Sequence, residues 1–203
     1  MDGKQRTEQF ERVRRELEAQ GLNATPCTVS VGRANLMALV TAGPVAALCA
    51  ALFFLIYRGG SGSFTLPGLL MFYAGLLASI PVHECIHGLV WSLFCKNGLK
   101  SIHIGMIWKK LTPYCCCMEP LQFGAYLAGG LAPFVLLGLG LFAAAMATGS
   151  VPLLLLGAFN ILAAGGDTTI ALMLLRHRKA QIIDHPTECG FWAFEAVKDR
   201  EMV

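Results

Sequence analysis

Long apolar stretches alternate with short polar connections along this chain. Four of the apolar stretches reach or exceed the roughly 20 residues that a helix needs to cross a bilayer. They cover residues 35–57, 65–95, 121–148 and 151–176. Hydrophobic residues make up 55% of the 203 residues and charged residues 14%, which is typical of a membrane protein rather than a soluble domain. The pattern predicts an all-α membrane protein, a bundle of about four transmembrane helices in the lipid bilayer.

The positive charges predict how these spans are oriented. Lysine and arginine concentrate before the first stretch, between the second and third, and after the fourth: Lys4, Arg6, Arg12, Arg14, Arg15 and Arg33; Lys96, Lys100, Lys109 and Lys110; Arg176, Arg178, Lys179, Lys198 and Arg200. The other two connections contain only Arg58. By the positive-inside rule, we expect a multi-pass protein of the cell membrane with both termini cytoplasmic. The net charge of +3, interspersed with acidic residues, does not favour nucleic acid as a partner.

Shorter elements are predicted outside the spans. Residues 6–20 form a short amphipathic helix, and residues 101–108 and 114–118 flank a KKLTP turn that predicts a small β-hairpin between spans two and three. Pro133, close to a Gly-Gly pair, predicts local irregularity in span three. The predicted division is a cytoplasmic N-terminal segment at 1–34, a four-span domain at 35–190 and a cytoplasmic tail at 191–203.

The second stretch contains PVHECIHGLV, which places His83, Glu84 and His87 in apolar surroundings. Positions i and i+4 share one face of a helix, so both imidazoles reach one Zn²⁺ ion. Glu84 then lies beside the metal as a catalytic base, and zinc lowers the pKa of its bound water to about 7, so that hydroxide is available as nucleophile. The alternative is that the two histidines only hydrogen-bond neighbouring helices and that Glu84 is protonated.

A third metal ligand is predicted in span four. Asp167 is the only acidic residue in the other three spans. At about 1.5 Å per residue, His83 and His87 lie about 25–31 Å along span two, and Asp167 lies about 24 Å along span four. Both spans run in the same direction, so the three side chains reach similar depth near the cytoplasmic side. Gly165 and Gly166 are expected to let the two helices approach closely. The alternative is that Asp167 pairs with a nearby Arg or Lys.

Other polar residues leave alternatives open. Asn160, two turns before Asp167, is predicted either to hydrogen-bond a substrate or an oxyanion or to make an ordinary contact between helices. Asp184, with His185 and Glu188 close by, is expected to lie in a solvated turn rather than in a second metal group. The consecutive residues Cys115–Cys117 lack the spacers that thiolate metal sites use. His103 and His177 lack ligand-spaced partners and are taken as loop residues.

With these residues located, the chain resembles the "putative zincin peptidase" family of small bacterial membrane proteins. That family is itself similar to the site-2 protease type of intramembrane zinc metalloprotease. The matching segments span about residues 65 to 190: HECIHG at 83–88, KSIHIGMIW at 100–108, YLAGGLAP at 126–133, NILAAGGD at 160–167 and IIDH at 182–185. The resemblance implies His83, His87 and Asp167 as zinc ligands and Glu84 as the base. Asp167 is followed by Thr168, whereas site-2 proteases usually carry Asp-Gly there.

The predicted function is that of a membrane-embedded zinc metallopeptidase. It would hydrolyse peptide bonds of a membrane protein or peptide substrate within or near the membrane. The alternative is a metal transporter, or a metal-sensing or non-catalytic membrane protein, that uses the same His and Asp residues. Only the hydrolase requires Glu84 as a base, because a transporter needs ligands alone.

Overall fold

Eight α-helices and six β-strands make up the part of the chain that the computed structural model describes, residues 3–58, 66–107 and 112–196. The helices are α1 (Gly3–Ala19), α2 (Val31–Thr41), α3 (Gly43–Tyr57), α4 (Leu66–Ser92), α5 (Phe123–Pro133), α6 (Gly140–Thr148), α7 (Val151–Ala163) and α8 (Gly165–Leu174). The strands are β1 (Leu22–Thr28), β2 (Ile102–Ile107), β3 (Thr112–Cys117), β4 (Leu121–Gln122), β5 (Gln181–Asp184) and β6 (Gly190–Ala196). The chain is mostly helical, as predicted.

Three helical stretches are long and apolar enough to cross a membrane. They are Gly32–Tyr57, which joins α2 and α3, Leu66–Ser92, which is α4, and Phe123–Thr148, which runs from α5 to α6. Helices α7 and α8 form a fourth candidate if they are taken as one span bent by 41°. The four predicted apolar stretches are therefore helical, and their ends agree with the prediction to within a few residues.

Large apolar side chains cover the outside of these helices. Leu36, Leu55 and Met71 are 63%, 75% and 75% exposed. Contiguous apolar surface of this kind is unfavourable in water and favourable in hydrocarbon. The surface of the helices is thus consistent with membrane association.

A four-stranded antiparallel sheet is the main departure from the predicted all-α fold. Its order is β1-β6-β5-β4, so the strand at residues 190–196 lies in the interior of the sheet. The sheet was missed because its two central strands are buried on both faces and do not alternate clearly between apolar and polar residues. On one face Ile182, Phe191 and Ala193 pack against the helices, beside Tyr126 and Leu174.

The N-terminal helix α1, predicted at 6–20, covers the opposite face of this sheet. Phe10 and Leu17 of α1 are buried against Ile183 and Phe194. Its apolar stripe is therefore satisfied by the protein itself and does not need a membrane surface.

The predicted hairpin between spans two and three is present, because β2 and β3 pair in antiparallel register from Ile102↔Cys117 to Ile107↔Thr112. Residues 109–111 of the predicted turn lie outside the described residues. The hairpin packs closely on α4 at Gly88, where an added Cβ would lie 2.7 Å from the Ile102 side chain. Span three is irregular after Pro133, where residues 134–139 form a π-helix.

Replacement of Gly190 by alanine should destabilise the protein. Gly190 has φ +141°, and an added Cβ would lie 2.1 Å from the Cys27 carbonyl oxygen. We expect the substitution to lower the free energy of unfolding by about 1–3 kcal/mol, measured by denaturant unfolding in detergent. In the matched control Gly124→Ala the new methyl group meets nothing within 4 Å. Equal stability of the two variants would contradict this prediction.

Candidate metal centre

His83 and His87 project from one face of α4, near its C-terminal end. The spacing of four residues brings their rings to a centroid separation of 4.8 Å, and the two Nε2 atoms lie 3.1 Å apart. His87 is buried and the side chain of His83 is 12% exposed. The i,i+4 spacing in the sequence thus translates directly into two nitrogen donors aimed at one point.

Asp167 reaches the same point from the first turn of α8. The bend between α7 and α8 turns the chain there, and α8 packs against α2 on both sides of Asp167. Gly165 lies against Ala38, where an added Cβ would come within 2.2 Å, and the hydroxyls of Thr168 and Thr41 are 2.7 Å apart. The prediction that the glycine pair brings span four against span two is therefore wrong in its partner, because Gly165 packs against span one.

The three side chains have the separations that a metal ion requires. One Asp167 oxygen, Oδ2, lies 3.1 Å from His83 Nε2, and the other, Oδ1, lies 3.5 Å from His87 Nε2. Two ligands about 2.0–2.1 Å from a tetrahedral zinc ion lie about 3.3 Å from each other. Two imidazole nitrogens and one carboxylate also match the donor set of catalytic zinc sites, so the residues present fit a zinc ion.

Two contacts fix the orientation of the His87 ring. Its Nδ1–H donates to the Gly129 carbonyl of α5 at 2.8 Å, which leaves the Nε2 lone pair of the neutral ring free for a metal. The ring also stacks on Trp91, with centroids 5.2 Å apart and planes inclined by 17°. This partner for the distal nitrogen is the arrangement found around metal-binding histidines in general.

Glu84 lies next to the three converging side chains without being one of them. It is half-buried in α4, and it lines the same cavity as His87 and Asp167. Cys115 of β3 also lines this cavity, so the hairpin and α4 both contribute to its wall. A carboxylate in this position is suited to proton transfer rather than to ligation.

The cavity itself has a volume of about 420 Å³ and lies between the helices, β3 and the loop after β5. Its wall carries four carboxylates, those of Glu84, Asp167, Asp184 and Glu188, and the guanidinium of Arg6 from α1. It is large enough for several residues of a peptide and polar enough to hold water.

A family model described as "putative zincin peptidase" matches residues 76–182, just over half of the chain. The chain belongs to this family. The match includes both histidines, Glu84 and Asp167, and it ends within β5. No curated protein and no solved structure matches the chain.

Asp184 lines the cavity and does not lie in a solvated turn, so the prediction of a solvated turn is wrong. It ends β5, and its carboxylate accepts hydrogen bonds from the Tyr126 hydroxyl at 2.5 Å and from the Cys117 N–H at 2.6 Å. The family resemblance includes the IIDH segment that contains Asp184. No local pattern in this segment indicates that the chain returns to the helices there, because that depends on the sheet.

Tyr126 joins Asp184 to the candidate ligands. Its ring stacks on Trp91 at 5.4 Å, and Trp91 in turn stacks on His87. Trp91 Nε1 also donates to the Tyr126 carbonyl at 3.0 Å. A continuous series of packed rings therefore runs from the sheet to His87.

Of the remaining predicted residues, Asn160 lies away from the cavity, whereas Cys115 and Cys116 line it. Asn160 is buried in α7 and donates to the Leu156 carbonyl of its own helix at 2.8 Å, and the 41° bend between α7 and α8 lies between Asn160 and Asp167. Asn160 is not among the described residues that line the cavity. Burial raises the pKa of the Cys116 thiol to about 12, which does not favour a thiolate metal site in the cysteine run.

The pH dependence of stability should report the environment of Asp184. Burial raises the pKa of its carboxyl to about 6, against the lowering effect of the two hydrogen bonds. Because the folded state holds this proton more tightly than the unfolded state, the associated stability is present at low pH and lost as the pH rises from about 4 to about 6. For a half-buried group we expect a loss of about 1–2 kcal/mol, absent in Asp184→Asn.

Unfolding free energies between pH 4 and pH 7 test this expectation. Glu188 is an exposed carboxylate in the adjacent turn, so Glu188→Gln is the matched control. This variant should retain the wild-type pH dependence of the unfolding free energy. If the profiles of wild type and Asp184→Asn were parallel, Asp184 would not be the titrating group.

Proposed function

We propose that this chain is a membrane-embedded zinc metallopeptidase that hydrolyses peptide bonds within or near the membrane. The observation that carries the proposal is the convergence of His83 Nε2, His87 Nε2 and the Asp167 carboxylate at separations of 3.1–3.5 Å. Membership of the zincin family supports the same activity. His83, His87 and Asp167 would hold the zinc ion.

A bound zinc ion supplies Lewis acidity, which lowers the pKa of water and polarises a peptide carbonyl. Glu84 accepts the proton of the attacking water and passes it to the amine that leaves when the C–N bond breaks. His87 keeps its position through Gly129, so that the donor nitrogen does not turn away from the site. The role of Asn160 in binding substrate stays a prediction.

We also propose that the protein crosses the cell membrane several times with both termini cytoplasmic. The apolar surface of the helices and the positive charges at their predicted cytoplasmic ends support this orientation. The site then lies close to the cytoplasmic side, where a membrane protein or a peptide is the substrate. Hydrolysis there would act on segments that leave or approach the bilayer.

Zinc content tests the ligands. The purified protein in detergent should bind one zinc ion per chain, and His83→Ala, His87→Ala and Asp167→Ala should each lower its zinc affinity by at least about 100-fold because one of three ligands is lost. Zinc is measured by elemental mass spectrometry after dialysis. His103→Ala is the matched control, since His103 lies in β2 and is not a member of this group. Full occupancy in Asp167→Ala would remove Asp167 from the ligand set.

The Glu84→Gln variant tests the chemistry separately from metal binding. It should retain zinc, because Glu84 is not a ligand, and lose about 10²–10⁴-fold in the rate of peptide hydrolysis. The substrates are fluorogenic soluble peptides and transmembrane peptides in mixed micelles. Cleavage at the wild-type rate by Glu84→Gln is the result that contradicts the mechanism.

The orientation is tested with epitope tags in intact cells. A tag inserted after Arg58 should bind antibody without permeabilisation, because the connection between spans one and two is predicted to be external. Tags at either terminus should bind only after permeabilisation. Antibody binding to a terminal tag in intact cells would contradict the proposed orientation.

Metal transport is the competing function. A transporter places polar groups along a path across the bilayer, whereas the described residues contain one group of metal-binding side chains. Zinc uptake into proteoliposomes without peptide hydrolysis would favour transport. Hydrolysis without uptake would support the peptidase.

A further inference from the structure

A second group of side chains with potential chemistry lies outside the cavity that contains the candidate metal centre. The Sγ atom of Cys27 is 3.3 Å from His177 Nε2, and His177 Nδ1 is 3.3 Å from a carboxylate oxygen of Glu195. None of the three is among the described residues that line the cavity. A thiol, an imidazole and a carboxylate in this order form the arrangement of an activated nucleophile.

The fold brings these residues together from distant parts of the sequence. Cys27 lies on β1 and Glu195 on β6, which pair in the sheet. His177 follows α8 in a turn, where its N–H donates to the Leu174 carbonyl and its carbonyl accepts from Ala180. Its ring also makes an edge-to-face contact with Phe191, with ring centroids 6.0 Å apart. The backbone of His177 is therefore held on both sides, and its ring is held between the thiol and the carboxylate.

The direction of the hydrogen bonds follows from Glu195. A carboxylate only accepts, so Nδ1 of His177 carries the proton, and Nε2 of the neutral ring accepts from the Cys27 thiol. Burial, and then the charge of Glu195, raises the pKa of the Cys27 thiol. The thiol is therefore protonated at rest and needs a base to react. His177 supplies that base, and Glu195 stabilises the imidazolium that forms.

The location of this group indicates the class of electrophile. Cys27 precedes the candidate span that begins at Gly32, and His177 follows the helix that ends at Leu174, so both lie at the ends of candidate membrane spans. Three exposed basic residues surround His177 in the sequence: Arg176, Arg178 and Lys179. A cationic surface next to an apolar one suits a reagent with an anionic carrier and a long apolar chain.

We propose that Cys27 is an acyl-acceptor site, at which His177 and Glu195 activate the thiol for transfer of a fatty acyl group from an acyl thioester with an anionic carrier. His177 Nε2 takes the proton of the thiol as Sγ adds to the thioester carbonyl carbon. The new C–S bond remains, the bond between the carbonyl carbon and the carrier sulfur breaks, and the carrier leaves as a thiol with the proton from the imidazolium. The acyl chain is then anchored where the first and fourth candidate spans end.

Palmitoyl-CoA is the probe for this site. The purified full-length protein in nanodiscs is incubated with it, and thioester formation at each cysteine is followed by mass spectrometry with hydroxylamine release. Cys27 should be acylated at least tenfold faster than Cys189, which is also half-buried, and faster by palmitoyl-CoA than by acetyl-CoA. Equal rates at the two cysteines, or with the two donors, would overturn the proposal.

Substitutions distinguish the role of His177 from that of Glu195. His177→Gln should lower the rate at Cys27 at least tenfold, because the base is lost. Glu195 is a positioning residue, so Glu195→Gln should slow acylation and Glu195→Asp should restore most of it, an outcome that a purely structural role does not give. An unchanged rate in His177→Gln contradicts the proposal. Thermal unfolding of each variant verifies the fold, and the comparison of Cys27 with Cys189 in the wild type does not depend on any variant.

Discussion

The close contact between α4 and α5 at Gly129 is the constraint on which the candidate metal centre depends. A Cβ at this position would lie 2.1 Å from the indole of Trp91, so no residue other than glycine allows the two helices to come so near. Only at this distance does the Gly129 carbonyl accept from His87 Nδ1. Burial of an imidazole in an apolar helix without such a partner would destabilise the folded state. The candidate metal-ligating atom, Nε2, would also have no fixed direction.

A series of side-chain contacts connects this point to the sheet. The rings of His87, Trp91 and Tyr126 stack in succession, and the hydroxyl of Tyr126 donates to Asp184 at the end of β5. The sheet is thus coupled to the helix that carries both histidines. Because α1 closes the other face of the sheet, the residues before and after the candidate spans form one support for the site rather than separate tails.

The helices and the two histidines followed from the sequence because both depend on local spacing. Helical length, the i,i+4 pair and the hairpin need no knowledge of distant residues. Asp167 was found by comparing depths along two spans, although the helix it packs against was predicted wrongly. The sheet and Asp184 were missed because β1 and β6 are more than 160 residues apart in sequence and their pairing is not encoded in either strand alone. The Cys27–His177–Glu195 group was missed for the same reason, since it exists only once the sheet forms.

Water supply explains why a hydrolase of this kind would carry a sheet beside its apolar helices. Hydrolysis consumes water, and a site enclosed by leucine-rich helices would receive little of it. The cavity reaches from Glu84 to the exposed turn at Glu188 and is lined by carboxylates along the way. Polar walls retain water that an apolar channel of the same width would exclude. The sheet and its loop therefore connect the candidate metal centre, which lies between apolar helices, to an exposed turn, as the proposed peptidase would require.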